Sequence, residues 1–281
     1  IGLFASGEFW PREPPAMALP RVLILRAPGT NCDQETAFAF GQAGAQSETL
    51  HVNRVLENPR LFAQYQILCI PGGFSYGDDL GAGRILASQM RSHLVLELEQ
   101  FKADGKLILG ICNGFQVLVR SGVLLADQPS GQGQERTPAA TLTRNDSGRF
   151  EDRWVQLQVA GAKCVFFSGI ERMYLPVAHA EGKFVPRDAA LLAQLRSAGQ
   201  IALRYQSLST ADPAAGRYPD NPNGAVDDVA AVCDETGRVC GLMPHPERYI
   251  DPTQHPRWTR GEARDPGDGL RVFRNAVAYF S

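Results

Sequence analysis

The sequence lacks a strong excess of charge of either sign. Its 281 residues carry 28 Lys and Arg against 30 Asp and Glu, which gives a formal net charge of −2. A protein that binds nucleic acid normally carries a basic excess to neutralise phosphates. No apolar run approaches the roughly 20 residues that span a bilayer. We therefore expect neither nucleic acid nor a membrane as a partner, and a cytoplasmic location.

The sequence also lacks the spacings that commonly hold a metal or a nucleotide. Its six cysteines occur singly, and no Cys-x-x-Cys or His-Glu-x-x-His motif is present. Several cysteines lie in apolar segments, which is typical of buried thiols in a reducing compartment rather than of disulfides. A Gly-x-x-x-x-Gly-Lys-Ser/Thr phosphate loop is missing. We expect no metal, no disulfide and no ATP chemistry in this chain.

The first residues differ in character from the rest. Residues 1–16 do not begin with Met, contain three prolines and precede Met17. They are interpreted as a disordered tag or extension. Residues 17–281, in a chain with 44% hydrophobic residues, are long enough to bury a large core and are expected to form a single domain.

Strands and helices alternate in the first half of the chain. Short apolar runs rich in Ile, Leu and Val end in turn residues, and helical patterns follow them. Such strands, without polar alternation, are typical of a parallel sheet covered by helices on both faces, with ligands at the carboxyl ends of the strands. The predicted strands are Val22–Arg26, Ile67–Ile70 and Leu107–Ile111, with helices over 84–103 and from Asn113 to about Arg120.

The second half contains more closely spaced short strands, which predict an antiparallel extension of the sheet. Segments 127–149 and 250–268 are rich in Pro, Gly and charged residues, and are interpreted as long surface loops. The predicted strands are Trp154–Val159, Cys164–Phe167, Val177–Val185, Ile201–Tyr205, Val229–Cys233 and Val239–Met243.

The segment Gly110-Ile111-Cys112-Asn113-Gly114 has the Gly-x-nucleophile-x-Gly spacing of a strand-to-helix elbow. Its glycines permit a tight turn that exposes the sulfur near a helix N-terminus, whose partial positive charge favours a thiolate. Cys112 is therefore a candidate nucleophile. A buried cysteine on a tight turn is the structural alternative.

A thiolate that attacks a carboxamide also needs a proton donor for the departing ammonia. The segment Met243-Pro244-His245-Pro246-Glu247-Arg248 follows a predicted strand, and its prolines hold it out of a helix. Residues two apart in extended chain project to the same side. Glu247 is therefore placed to orient His245, as the third member of a triad does. Alone, such a motif is more often a solvated turn than a catalytic pair; together with the elbow, it favours the catalytic pair.

A tetrahedral intermediate needs backbone donors for its oxyanion. Pro71-Gly72-Gly73 ends the strand that precedes the elbow strand, and glycines let backbone N–H groups approach a substrate closely. Gly73 and Asn113, the residue after the nucleophile, are the predicted pair. An ordinary glycine turn is the alternative.

Five blocks of the sequence together resemble class I (triad) glutamine amidotransferases, and within them the glutaminase components of phosphoribosylformylglycinamidine synthases. The resemblance extends from about Arg21 to Phe280 and implies a flavodoxin-like, doubly wound α/β fold with a mostly parallel sheet. The blocks are Ala27-Pro28-Gly29-Thr30-Asn31-Cys32-Asp33, Pro71-Gly72-Gly73-Phe74-Ser75-Tyr76-Gly77-Asp78, Gly110-Ile111-Cys112-Asn113-Gly114-Phe115-Gln116, Val177-Ala178-His179-Ala180-Glu181-Gly182-Lys183-Phe184, and Met243-Pro244-His245-Pro246-Glu247-Arg248.

The resemblance implies roles for these residues. Cys112 would be the nucleophile, His245 the general base and acid, and Glu247 its partner, while Gly73 and Asn113 would form the oxyanion hole. Gln116 occupies the position that contacts the amino-acid end of the substrate in the wider class, although a helical Gln could simply pack or cap. His179 and Glu181 match a family block without a role that the residues reveal.

The resemblance also implies a substrate and partners. The family reaction transfers nitrogen from L-glutamine to formylglycinamide ribonucleotide and consumes ATP. It requires a large synthetase subunit, on which ATP and magnesium are expected, and often a small accessory subunit. This chain resembles only the glutaminase part, so ammonia would pass to the partner. The loops 127–149 and 250–268 resemble the longer glutaminase regions of single-chain enzymes.

Three other functions share features with this sequence. A cysteine hydrolase of the DJ-1/PfpI type also carries cysteine on an elbow, but typically with His directly after it, where this chain has Asn113. A non-catalytic regulatory partner of a synthetase would keep the fold without needing the triad, and the presence of Cys112, His245 and Glu247 together disfavours it. A nucleotide-binding module would need the missing phosphate loop.

Overall fold

A computed structural model describes residues 18–127, 137–210 and 212–281. The proposed extension 1–16 lies outside these residues. The first half alternates strands and helices, beginning with a strand at Arg21. Its strands are β1 (Arg21–Arg26), β2 (Gln46–His51), β3 (Ile67–Ile70) and β4 (Leu107–Ile111), and its helices are α1 (Asp33–Gln42), α2 (Val52–Glu57), α3 (Arg84–His93), α4 (Val95–Ala103) and α5 (Asn113–Ser121).

The second half is richer in strands. Its strands are β5 (Ala140–Thr143), β6 (Glu151–Val159), β7 (Arg172–His179), β8 (Lys183–Pro186), β9 (Ile201–Gln206), β10 (Val229–Cys233) and β11 (Val239–Leu242), and its helices are α6 (Ala189–Ser197) and α7 (Leu270–Ala278). None of the helices among the described residues combines the length and apolar character needed to cross a membrane.

One nine-stranded sheet collects strands from both halves, in the order β2-β1-β3-β4-β11-β10-β9-β6-β7. Neighbouring strands from β2 to β11 are parallel, whereas the pairs from β11 through to β7 are antiparallel. Strands β5 and β8 form a separate antiparallel pair. The α/β class, the parallel core and the antiparallel extension are thus confirmed.

The central strands are buried on both faces, as their apolar runs predicted. Every residue of β3, β4 and β11 is buried, because helices cover the sheet in two groups. Helices α1 and α7 pack together through Phe40 and Phe273, whose ring centroids are 4.9 Å apart with an interplanar angle of 80°. Helix α5 packs on β4 and on α3. The sheet and its helices therefore form a rigid support for the loops at the strand ends.

Several predicted elements differ from the structure. The segment Cys164–Phe167 is not a strand, because Val165–Phe167 forms a short 3-10 helix that buries two phenylalanines. The predicted helix 84–103 is interrupted at Leu94, which has φ −127° and ψ 6° and is fully buried. The predicted strand Val177–Val185 is divided between β7 and β8 by a turn. The proposed loop 127–149 contains β5, and the strand β2 was missed.

Candidate active site

Cys112 lies between β4 and α5 on a strained turn. Its φ of 50° and ψ of −102° fall outside the regions that non-glycine residues usually adopt. The flanking glycines allow the close packing that this turn requires. A Cβ on Gly114 would lie 1.9 Å from the carbonyl oxygen of Ile70, and one on Gly110 would lie 2.6 Å from that of Gly114. The elbow predicted from the sequence is therefore present.

The neighbouring strand brings His245 to the same edge of the sheet. Strands β4 and β11 are parallel, and Ile111 pairs with Leu242. The backbone N–H of Cys112 donates to the carbonyl of Leu242 at 2.7 Å. His245 follows β11 directly, and its own N–H donates to the carbonyl of Pro176 in β7 at 2.8 Å. Residues 133 positions apart in sequence thus meet because the carboxyl ends of parallel strands share one edge.

The imidazole of His245 is bound to Glu247. The Nδ1 atom of His245 lies 2.6 Å from Oε1 of Glu247, and both side chains are almost completely buried. A carboxylate acceptor on Nδ1 places the proton there and leaves Nε2 available. Within the described residues, neither Nε2 of His245 nor Oε2 of Glu247 has a hydrogen-bond partner. Nε2 is therefore free to exchange a proton with a reacting group.

The electrostatics of this pair favour a charged imidazole. Burial alone would lower the pKa of His245, but the negative charges of Glu247 and of ionised Cys112 outweigh it and raise the pKa well above its usual range. His245 is thus held as a proton donor beside the sulfur. An imidazolium beside a cysteine stabilises the thiolate, which is the nucleophilic form.

The predicted oxyanion donors lie at the ends of adjacent strands. Gly73 follows β3 with φ 137°, and a Cβ there would lie 2.8 Å from the backbone nitrogen of Asn31. The side chain of Asn113 ties the two segments together, since its Oδ1 accepts from the backbone N–H of Ser75 at 3.2 Å. Within the described residues, neither Gly73 nor Asn113 donates its backbone N–H to a protein acceptor. Both remain predicted donors to a substrate.

Gln116 is engaged by the protein itself. Its Nε2 donates to the carbonyl of Glu181 at 2.6 Å, and its Oε1 accepts from Nδ2 of Asn113 at 2.9 Å. The side chain of Glu181 in turn contacts Arg120 at 3.9 Å. Gln116 therefore joins the elbow helix to the turn between β7 and β8. A direct contact between Gln116 and a substrate stays a prediction.

The His179 ring is buried on the same turn. Its Nδ1 lies 3.2 Å from Oδ1 of Asn145, which also accepts from the backbone N–H of Gly182 at 3.0 Å. Burial, with a smaller contribution from the charge of His245, lowers the pKa of His179 to about 3. His179 is therefore neutral and acts as part of the support for this turn. Asn145, which holds the turn, was not found from the sequence.

A second cysteine, also not predicted as a site residue, lies beside the triad. Ligand atoms of Cys32, His245 and Glu247 lie within 4.8 Å of one another. These residue types could hold a soft divalent cation. The surroundings disfavour a bound cation, however, because the positively charged Arg248 guanidinium lies 3.2 Å from Sγ of Cys32. The expectation that no metal is bound stays a prediction.

The two cysteines near His245 differ in reactivity. Burial raises the pKa of the Cys32 thiol to about 11, so this group is protonated at neutral pH. Cys112 instead lies on the strained elbow at the start of α5, where the free N–H groups of the helix terminus favour negative charge. Sγ of Cys112 lies 3.6 Å from the carbonyl of Ala178. Cys112 is therefore the better nucleophile of the two.

Comparisons with known proteins agree with this geometry. A profile described as a CobB/CobQ-like glutamine amidotransferase domain matches residues 19–280. The chain is 45% identical over 268 residues to a phosphoribosylformylglycinamidine synthase subunit PurQ of Dehalococcoides mccartyi, covering 94% of this chain and 98% of the relative. It is 41% identical over 273 residues to the PurQ subunit of Methanococcus maripaludis, with the same coverage.

A solved structure shows the same fold. A chain of the PurLQS structure from Thermotoga maritima superimposes with a TM-score of 0.68 and 30% identity, covering 94% of this chain and 100% of the other. The profile, the relatives and the superposition agree, and the chain belongs to the CobB/CobQ-like glutamine amidotransferase family.

Proposed function

We propose that this chain is the glutaminase subunit of a phosphoribosylformylglycinamidine synthase. It hydrolyses L-glutamine to glutamate and ammonia and delivers the ammonia to a separate synthetase subunit, which uses it with ATP to convert formylglycinamide ribonucleotide. The observation that carries this proposal is the buried pair of His245 and Glu247 at the end of β11, next to the Cys112 elbow. Two relatives that this chain matches over nearly their full length carry the name of that subunit.

In the proposed first step, the Cys112 thiolate attacks the carboxamide carbon of glutamine. The carbonyl π electrons move to oxygen, and the N–H groups of Gly73 and Asn113 stabilise the resulting oxyanion. His245 donates its Nε2 proton to the departing nitrogen as the C–N bond breaks. This step releases ammonia and leaves a glutamyl thioester on Cys112.

In the second step, neutral His245 removes a proton from a water molecule that attacks the thioester. The C–S bond breaks, and the Cys112 thiolate and the His245 imidazolium are restored; glutamate leaves as its γ-carboxylic acid, which gives its proton to ammonia or water. Glu247 stabilises the imidazolium at the start and end of the cycle through the 2.6 Å hydrogen bond to Nδ1. No proton is lost or gained by the protein over the full reaction.

The burial of the site supports dependence on a partner. Cys112 is 5% exposed and His245 is 2% exposed, so wider access of glutamine to the sulfur requires movement of the surrounding turns. Docking of a synthetase subunit would supply that movement, and glutaminase activity of the isolated chain is accordingly low. ATP and magnesium belong to the synthetase, and a small accessory subunit completes the complex. A cytoplasmic location fits these substrates.

The experiment that tests this function combines the chain with a purified synthetase subunit, ATP and formylglycinamide ribonucleotide. Transfer of the amide nitrogen from labelled glutamine to the nucleotide product is measured for wild type and for Cys112→Ala. The proposal predicts Cys112-dependent transfer, and glutamate release that rises when the synthetase is added. Cys112-dependent glutamate release without transfer would contradict the acceptor, and unchanged activity in Cys112→Ala would contradict the chemistry. No release under any condition would favour the non-catalytic partner instead.

A further inference from the structure

We propose that Cys32 is a positioning residue for the glutaminase reaction, holding the imidazole of His245 in the orientation that serves both Glu247 and Cys112. The inference rests on the proposed function of this site. Cys32 follows β1 at the N-terminal end of α1, so it reaches the same edge of the sheet as the triad although it lies more than 200 residues before His245 in sequence.

The first support is packing around the ring of His245. A Cβ at Gly72 would lie 2.8 Å from Cε1 of His245 and 3.0 Å from Sγ of Cys32. The imidazole and the thiol therefore both lie directly against the Gly72 backbone, and a larger residue there would clash with both. Cys32 is 1% exposed, so solvent does not reach the sulfur. Rotation of the ring toward this side is blocked.

The second support is the way the thiol itself is held. Its S–H donates to Oδ1 of Asn31 at 3.2 Å, and its sulfur accepts from the Arg248 guanidinium at 3.2 Å. Arg248 is in turn fixed by an ion pair with Glu35 on α1, at 3.0 Å. Asn31 and Glu35, from the connection between β1 and α1 and from α1 itself, thus act with Arg248 to hold the sulfur beside His245.

The chemistry of the thiol suits this position. A protonated thiol brings no charge next to a buried imidazolium and carboxylate, yet it is large and polarisable enough to fill the space. Catalysis needs the His245 ring to hydrogen-bond Glu247 through Nδ1 and to point Nε2 toward Cys112 at the same time. A misplacement of a reacting group by about 1 Å can lower a rate about 100-fold. A residue that limits ring rotation therefore acts on the turnover rate.

The variants that test this role are Cys32→Ala, Cys32→Ser and Cys164→Ala. The serine keeps a group that donates to Asn31 and accepts from Arg248, whereas the alanine removes both. Cys164 is a matched control, because it is also buried, at 2% exposure, and lies near Cys233 and Cys240 rather than near the triad. Thermal melting of each variant reports whether the fold is intact.

The first readout is glutamate release in the presence of the synthetase subunit. We expect kcat to fall about tenfold in Cys32→Ala with KM nearly unchanged, to recover in part in Cys32→Ser, and to be unaffected in Cys164→Ala.

The groups that surround His245 are Glu247 beside it, Cys112 after β4, Cys32 after β1 and His179 at the end of β7. Cys32 itself contributes to the raised pKa of His245, so in Cys32→Ala the alkaline limit of kcat, the pH at which kcat falls as His245 loses its proton, should move to lower pH.

The second readout does not depend on the acceptor or the partner. The rate at which iodoacetamide alkylates Cys112 at neutral pH, measured by peptide mass spectrometry, should fall in Cys32→Ala. If wild type shows no glutaminase activity with any synthetase but this alkylation difference persists, the proposed function fails while the positioning role stands.

Two results would overturn the positioning role. One is a Cys32→Ala enzyme with the kcat, pH profile and alkylation rate of wild type. The other is a Cys164→Ala enzyme with the same losses, which would indicate a general effect of buried cavities.

If Cys32→Ala does not fold, Arg248→Lys replaces it, because lysine keeps the charge but cannot bind Glu35 and Cys32 together. In Arg248→Lys, the alkaline limit of kcat should move in the same direction by a smaller amount. A pH profile of kcat identical to that of wild type would refute the proposal.

Discussion

At the scale of single residues, the elbow depends on the absence of a side chain at Gly114. A Cβ there would lie 1.9 Å from the backbone oxygen of Ile70, which cannot move without disturbing β3. We expect Gly114→Ala to destabilise the fold by about 3 kcal/mol or more, as overpacking against backbone does. Chemical denaturation measures this. As a control, Gly41→Ala on α1 meets nothing within 4 Å and should stabilise by about 0.5–1 kcal/mol; equal effects of both variants would refute the packing argument.

Glu247 makes the pH dependence of both activity and stability testable. Burial opposes the charge on His245, and Glu247 overcomes it, so the folded pKa lies above the ordinary value of 6.5. The stabilisation is then fully present below that value and is lost as pH rises through the folded pKa. We expect Glu247→Gln to reduce kcat at least about 100-fold and to destabilise most at acidic to neutral pH.

Urea unfolding across the pH range checks this prediction. Glu57→Gln is a suitable control, since its carboxylate is exposed and pairs with Arg54 on the same helix. A loss of stability in Glu247→Gln that grows with rising pH would contradict the assignment, because it would mean that His245 is not the group that Glu247 stabilises.

The local geometry around all three proposed triad residues could be predicted from the sequence, for a physical reason. The spacing of Gly110, Cys112 and Gly114 encodes a local turn, and the prolines around His245 fix a local extended segment, so neither depends on distant packing. Cys32 was missed as a site residue because its contact with His245 forms only when β1 and β11 are assembled in one sheet. One signal was available: Cys32 follows a strand of the same parallel set, whose carboxyl ends share an edge.

At the scale of elements, the turn between β7 and β8 is held against the elbow by Asn145. Its Nδ2 donates to the carbonyl of His179 at 2.8 Å, and its Oδ1 accepts from Gly182 and faces His179 Nδ1. We expect Asn145→Ala to cost about 3 kcal/mol, because each buried group left without a partner costs about 1–3 kcal/mol. Thermal and urea unfolding test this, with exposed Asn53→Ala on α2 as the control.

Ala178 lies at the end of β7, just before this turn, and its carbonyl lies 3.6 Å from the Cys112 sulfur. Asn145→Ala should therefore also lower glutaminase activity at temperatures where the variant is fully folded. A folded variant with wild-type activity and stability would show that the turn is held by other contacts, such as the bond from Gln116 to the carbonyl of Glu181.

Strands with strong local signals were predicted well, and elements set by tertiary packing were not. The bounds of β3, β4 and β10 match the sequence prediction because apolar runs between turn residues define them. The strand β2 was missed, since its sequence Gln-Ser-Glu-Thr-Leu-His is polar and it lies at the edge of the sheet. The segment 165–167 has a strand-like composition, but it forms a 3-10 helix that buries both of its phenylalanines.

At the scale of the whole molecule, the sheet brings Cys32, Cys112 and His245 together from three distant parts of the chain and closes the site around them. Cys112, His245 and Glu247 are each no more than 5% exposed. We expect glutamate release to rise at least about tenfold when the synthetase subunit binds, because binding energy must open the site and order it for catalysis. Full activity of the isolated chain, with no change on addition of the partner, would contradict this view.

The most direct test of the central claim is to trap the covalent intermediate. Glutamine is mixed with the complex, the reaction is stopped with acid, and the peptides are analysed by mass spectrometry for an added glutamyl group. The account predicts the adduct on the peptide that contains Cys112 in wild type, and its loss in Cys112→Ala. Glutamate release with the adduct on Cys32, or with no adduct and undiminished activity in Cys112→Ala, would contradict it.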